Sequence, residues 1–123
     1  MVATNKFTDL IIWQKAHAFV LEVYKATEIF PKHELFGLVS QFRRAAVSIP
    51  ANIAEGYKRK GKKDKLRFFN FSQGSLEECR YFIILSKDLS YIDEIQYSLL
   101  INKIEETSKT LNSYCLQITR DIN

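Results

Sequence analysis

The sequence predicts an all-α protein: an antiparallel, up-down-up-down four-helix bundle that associates further into a homo-oligomer. Three observations carry this. Apolar residues recur at helical spacing in four long stretches, and no alternating run makes a convincing strand. Only four Gly and two Pro interrupt 123 residues, which disfavours a turn-rich β fold. Two of the stretches are apolar on more than one side, and those surplus faces suit contacts between copies. The length fits one domain over 1–123, with helices at about 10–29, 34–60, 64–89 and 93–121.

Thr8-Asp9 offers a start signal for the first helix. Trp13, Ala16, Val20, Val23, Thr27 and Phe30 then step by three and four, and Ile12, Phe19 and Ala26 widen that face. Pro31 ends the helix by disfavouring helical geometry in the residue before it.

The second stretch organises the chain. Leu35, Leu38, Phe42, Ala45, Ala46, Ile49 and Ile53 share one face, while Phe36, Ser40, Val47, Ala51 and Ala54 form another on the far side. Between them Gln41, Arg44, Ser48, Asn52 and Glu55 make a polar stripe. Pro50 sits mid-stretch, where it cannot donate to the Ala46 carbonyl. A kinked helix is expected, with Ser48 or Asn52 answering the freed carbonyl; the alternative is a stop at Ile49 and a restart with Pro50 as first residue.

Gly61-Lys62-Lys63 connects to the third helix, with Asp64 as its natural cap. Phe68, Ser72, Ser75, Cys79, Phe82, Ser86 and Leu89 form a seam whose small residues allow close helix approach. Phe69, Leu76 and Ile83 make a second stripe, and Phe71 with Leu85 a third. After Ser90-Tyr91-Ile92, Asp93 and Gln96 resemble a capping box. Tyr97, Ile101, Ile104, Ser108, Leu111, Cys115, Ile118 and Ile122 then alternate steps of four and three along a helix roughly 43 Å long. Short connections between long helices place sequence neighbours antiparallel.

Composition excludes several classes. No run of 18 apolar residues exists to span a membrane, and the N-terminus lacks a signal-peptide layout. Cys79 and Cys115 are too few for a disulfide framework or zinc site, and both fall on seams as buried thiols. A cytoplasmic location follows.

No enzyme is expected. A di-iron or similar bundle needs Glu-x-x-His pairs, but His17 is preceded at three residues by Gln14 and His33 lies in a loop. The cysteines and Ser48, Ser72 and Ser75 have no visible base, and the glycines form no phosphate loop, so no metal, cofactor or catalytic residue is assigned. Asn52, bordering the apolar face, needs hydrogen-bond partners. Arg43, Arg44, Ser48, Glu55, Ser75 and Glu78 are its candidates, either as a buried network setting helix register or as a ligand site. Glu55 has a second option in Arg59, one turn on.

Basicity is local. Residues 58–67 hold Lys58, Arg59, Lys60, Lys62, Lys63, Lys65 and Arg67 against Asp64 alone, a segment charge of +6 in a chain of +4. These seven cations are the candidate nucleic-acid-binding residues, since Lys and Arg neutralise phosphates and release condensed counterions. Tyr57 could stack on an exposed base, as could Phe68 if unburied. A solvated loop is the alternative.

The chain also resembles a known family. Leu10 with Trp13-Gln14-Lys15-Ala16, Phe30-Pro31 with Glu34, and Gly37-Leu38 with Gln41 carry the likeness. Arg43-Arg44-Ala45-Ala46-Val47-Ser48-Ile49, Asn52-Ile53-Ala54-Glu55-Gly56-Tyr57 and Gly74-Ser75-Leu76-Glu77-Glu78 complete it. Over residues 7 to about 118 these look like the 23S rRNA intervening-sequence proteins. The resemblance implies that the homo-oligomer is a ring, a homopentamer, and implies kinship with the accessory variability protein of diversity-generating retroelements, which binds nucleic acid and a reverse transcriptase. RNA or DNA and a protein partner such as a reverse transcriptase are thus the implied partners. The segment after Gly56 departs from the family by its extra cations; five copies would gather about +30 near one rim before screening.

Overall fold

The computed structural model describes residues 4–122, which form four α-helices and, among the described residues, no strand. They are α1 (Ile11–Thr27), α2 (Ser40–Lys58), α3 (Lys62–Asp88) and α4 (Glu94–Ile122). α2 packs on α1 and α3, and α4 packs on the same two. No helix is long and apolar enough to cross a membrane among the residues described.

α1 starts at Ile11, one residue after the expected start, but Thr8-Asp9 does not cap it. Those residues belong to a 3-10 turn, Phe7–Asp9, and the Asp9 carboxylate accepts the Asn5 amide at 3.1 Å instead of capping the helix. Leu10 takes the cap position with no side-chain bond, and the Gln14 amide ties back to the Thr8 carbonyl at 3.0 Å. The expected face is buried, with Ile12, Ala16, Phe19 and Val23 fully so and Trp13 half-buried.

The second stretch is three pieces, not one helix from 34 to 60. A 3-10 turn, Lys32–Glu34, leads into a π-helical turn, Leu35–Val39, before α2 begins. Gly37 lies in that turn at φ −109°, ψ −111°, and the Glu34 carboxylate accepts the Leu38 amide at 3.3 Å. The wider turn displaces the helical register, which leaves Leu35 half-exposed and Phe36 92% exposed although Leu35 carries the core-face spacing. α2 then runs unbroken through the buried Pro50, without a restart. Neither Ser48 nor Asn52 answers the Ala46 carbonyl: the Asn52 amide donates to the Ser48 carbonyl and hydroxyl, both at 2.9 Å.

α3 begins at Lys62 with Gly61 at the cap position, so Asp64 falls in the first turn and caps nothing. An acid there still suits the positive end of the helix. The core takes Phe69, Ser72, Ser75, Leu76, Cys79, Phe82, Ile83 and Ser86 from this helix, whereas Phe71 and Leu89 stay largely exposed. The α3–α4 turn places Ser90 at φ 62°. At α4 the capping box is formed: Gln96 accepts the Asp93 amide at 3.0 Å and Asp93 accepts the Gln96 amide at 2.8 Å. Its buried line is Leu100, Ile104, Thr107, Ser108, Leu111, Cys115 and Ile118. Leu100 and Thr107 thus join a seam from which Tyr97, Ile101 and Ile122 sit back half-buried.

Two close approaches lock α2 to α3. A methyl group added at Gly56 would come within 2.7 Å of the Phe69 ring and 3.2 Å of the Lys65 carbonyl. The buried Ser72 hydroxyl donates to the Ile49 carbonyl at 2.8 Å.

Candidate nucleic-acid interface

The basic segment spans the last turn of α2, a short connector and the first turns of α3. It lies at the end of the bundle shared with the N-terminal 3-10 turn and the end of α4. Tyr57 Oη donates to the Thr4 carbonyl at 3.2 Å, and Lys62 Nζ lies 3.9 Å from Asp121.

The seven cations fall into two groups. Arg59 pairs with Glu55 at 3.2 Å and Asp64 at 3.7 Å, Arg67 pairs with Asp64 at 2.9 Å, and Lys62 faces Asp121. Lys65 is half-buried and donates to the Tyr57 carbonyl at 2.9 Å, closing the C-terminal end of α2; burial lowers its pKa. Lys58, Lys60 and Lys63 are exposed and have no acid partner among the described residues. The pairs all involve partly exposed side chains, where an ion pair contributes about 0–1 kcal/mol, so a phosphate can displace a carboxylate at small cost.

Aromatic rings stiffen the cluster. The guanidinium carbons of Arg59 and Arg67 lie over the Phe68 ring, at 4.5 and 4.8 Å, and Phe71 meets Phe68 edge-on at 5.7 Å. Phe68 is therefore covered by two arginines. Tyr57 packs against the core, with Lys65 5.4 Å from its ring centre, and is not a free stacking platform.

The polar network is smaller than the stripe suggests. Ser48, Asn52 and Ser75 meet: Ser75 Oγ donates to Ser48 Oγ at 2.8 Å, beside the Asn52 bond to the same hydroxyl. Arg43 turns to α1, donating to Thr27 Oγ1 at 2.9 Å and lying 4.5 Å over Tyr24. Glu55 takes Arg59 instead. Arg44 and Glu78 line an open hollow of about 470 Å³ with Gln41, Ser48 and Ser75 and form no ion pair across it. A helical wheel places residues on a face but cannot say which neighbouring helix a long arginine prefers.

Among the described residues no three His, Cys, Asp or Glu side chains gather as a metal site. His17 stacks on Trp13 at 4.9 Å, and His33 Nε2 lies 3.5 Å from Tyr91 Oη. Burial pushes the Cys79 thiol far up, helped by nearby Glu78, and Cys115 up to about 11. Neither is a nucleophile at neutral pH.

The sequence profile described as 23S rRNA-intervening sequence protein matches residues 8–113. The chain belongs to this family. A crystal structure of a protein of unknown function from the S23 ribosomal protein family of Bacteroides thetaiotaomicron is similar to it, with 25% identity and a TM-score of 0.77. That similarity covers 85% of this chain and 98% of the other. No curated protein matches the chain. Lys6, Phe7 and Asp121 border the basic segment of this family member without having been legible as neighbours, since Asp121 meets Lys62 from 59 residues away.

Proposed function

We propose that this family member is a non-enzymatic, homo-oligomeric helical bundle that binds the backbone of RNA or DNA through the α2–α3 connector. The observation that supports it is the trio Lys58, Lys60 and Lys63, exposed and without an acid partner among the described residues, beside two arginines stacked on one phenylalanine. Clustered cations at one end of a rigid body neutralise phosphates without reading sequence. The family description, with its reference to ribosomal RNA, agrees with a nucleic-acid role.

The bundle is read as antiparallel, up-down-up-down. Ser48 meets Ser75 while Gly56 lies against Phe69, and Gln73 meets Asn112 while Arg80 meets Glu105, so numbers rise on one helix as they fall on the next. Oligomerisation is supported by exposed apolar residues, Phe36 in the π-helical turn and Val47 and Ala51 on α2. In a ring the basic ends of several copies would line one rim. A protein partner such as a reverse transcriptase is the second reading, and the same apolar residues favour it.

The test is single-stranded RNA affinity against salt. Lys58→Glu, Lys60→Glu and Lys63→Glu together remove three phosphate contacts, so the slope of log K against log salt flattens by about 2, at roughly 0.7 per contact. A salt-insensitive affinity, or an unchanged slope in the triple variant, refutes the proposal.

A further inference from the structure

At the basic end, one acid touches two arginines. Asp64 is the only acid of residues 58–67, and both of its oxygens are engaged. Arg67 donates to Oδ1 through Nε at 3.1 Å and through Nη2 at 2.9 Å, and Arg59 Nε lies 3.7 Å from Oδ2. Arg59 comes from the connector and Arg67 from the second turn of α3, so two elements converge on one anion. Phe68 carries both guanidinium groups, and Arg67 also lies 5.7 Å from the Phe71 ring. A guanidinium resting on an aromatic ring has lost much of its freedom before any ligand arrives, so less ordering remains to be done on binding.

The planar donor fork of arginine suits phosphate as well as carboxylate. A phosphodiester, like the Asp64 carboxylate, presents two charge-bearing oxygens to such a fork. Glu55 is the other acid here: it pairs with Arg59 at 3.2 Å from the α2 side and not with Arg67. Two arginines against Asp64 and Glu55 leave the fork formally neutral in the folded chain. With Asp64 turned away the fork carries one positive charge, Glu55 still steadies Arg59, and Lys58, Lys60 and Lys63 flank it in the chain.

Resting on the nucleic-acid reading above, we infer that Arg59 and Arg67 form a phosphodiester subsite which Asp64 fills in the free protein, so that an entering strand displaces the protein's own carboxylate. Asp64 is then a built-in competitor that holds affinity below what the cations alone would give. Lys58, Lys60 and Lys63 need no such exchange, because no acid of the described residues opposes them. The two sets of cations therefore respond in opposite ways to loss of a charge: neutralising a lysine weakens binding, and neutralising Asp64 strengthens it through the two arginines.

The experiment is fluorescence anisotropy with a 5′-hydroxyl single-stranded RNA, in which every phosphate is internal, at several salt concentrations. It compares wild type, Asp64→Asn, the pair Arg59→Gln with Arg67→Gln, and the variant carrying all three changes, with thermal melts to show that each is folded. Asp64→Asn keeps the side-chain shape without the charge and binds about 3- to 10-fold tighter at low salt, as release of two surface pairs allows. Its slope of log K against log salt steepens by roughly 0.7, one further contact on a single strand. In the background lacking both arginines, Asp64→Asn has nothing to release and changes affinity by less than about 2-fold, the residue of a screened field. An equal gain in both backgrounds is the general effect of removing a negative charge and overturns this inference alone, as does an Asp64→Asn protein that binds like wild type. If neither wild type nor Asp64→Asn binds, the nucleic-acid reading falls and this one with it.

Discussion

Gly56 sets how closely α2 and α3 approach, and Gly56→Ala measures that constraint. The new methyl group would sit 2.7 and 2.8 Å from two carbons of the Phe69 ring, and Phe69 is 1% exposed, so the ring has no open space to enter. On the other side the Lys65 carbonyl, at 3.2 Å, is backbone and moves only with α3. Overpacking of this kind costs about 1–3 kcal/mol. Against it, alanine is favoured over glycine in a helix interior by about 1 kcal/mol, and by less here, in the last turn of α2. The net expectation is a loss of about 1–2 kcal/mol, or roughly 4–8 °C in Tm for a chain of this size. Urea unfolding of wild type, Gly56→Ala, Phe69→Leu and the double variant is the assay. The smaller leucine admits the methyl group, so in the Phe69→Leu background Gly56→Ala becomes neutral or slightly stabilising, with a coupling of about 1 kcal/mol or more. A Gly56→Ala protein as stable as wild type, or additive effects in the double variant, refutes the close approach.

The other expectations concern single groups. Ser72→Ala removes the buried hydroxyl that braces the Ile49 carbonyl beside Pro50, and chemical denaturation reads a loss of about 1 kcal/mol. The Cys79 and Cys115 pKa values are raised by burial, so the folded state holds these thiols protonated where the unfolded chain, near pKa 8.5, releases them. Their stabilisation is complete below about pH 8.5 and falls as pH rises, by at most about 1.4 kcal/mol per pH unit for each thiol. Cys79→Ala therefore flattens the decline in stability between about pH 8.5 and 10 relative to wild type, and thiol labelling at pH 7.5 proceeds only after unfolding.

Much of the fold was legible because burial follows helical period. The faces of α1 and the Phe42–Ile53 side of α2 are buried as their spacing requires, and Asp93 with Gln96 caps α4 through short-range chemistry written in adjacent residues. What escaped depends on register or on distant partners. The π-helical turn shifts Leu35 and Phe36 out of phase with the helix they seem to begin. Asp64 looked like a cap because it follows a lysine-rich connector, but α3 gains two residues before it and the acid clasps Arg59 and Arg67 instead. Of the candidate interface, the location of the charge was readable from the order of residues 58–67. Which lysines remain free was not, because Asp121 and the Tyr57 carbonyl reach Lys62 and Lys65 only once the chain is folded.

The short connector between α2 and α3 is anchored at both ends, by Lys65 on the Tyr57 carbonyl and by the Gly56 contact with Phe69. Lys60 therefore rides on a stiff corner and not on a floppy tether. On the proposed function, a polyanion meeting that corner would find its charges already spaced, so most of the accommodation would fall to the sugar-phosphate strand. Pliable single strands would then be held in preference to a stiff duplex by shape alone, with no base ever being read.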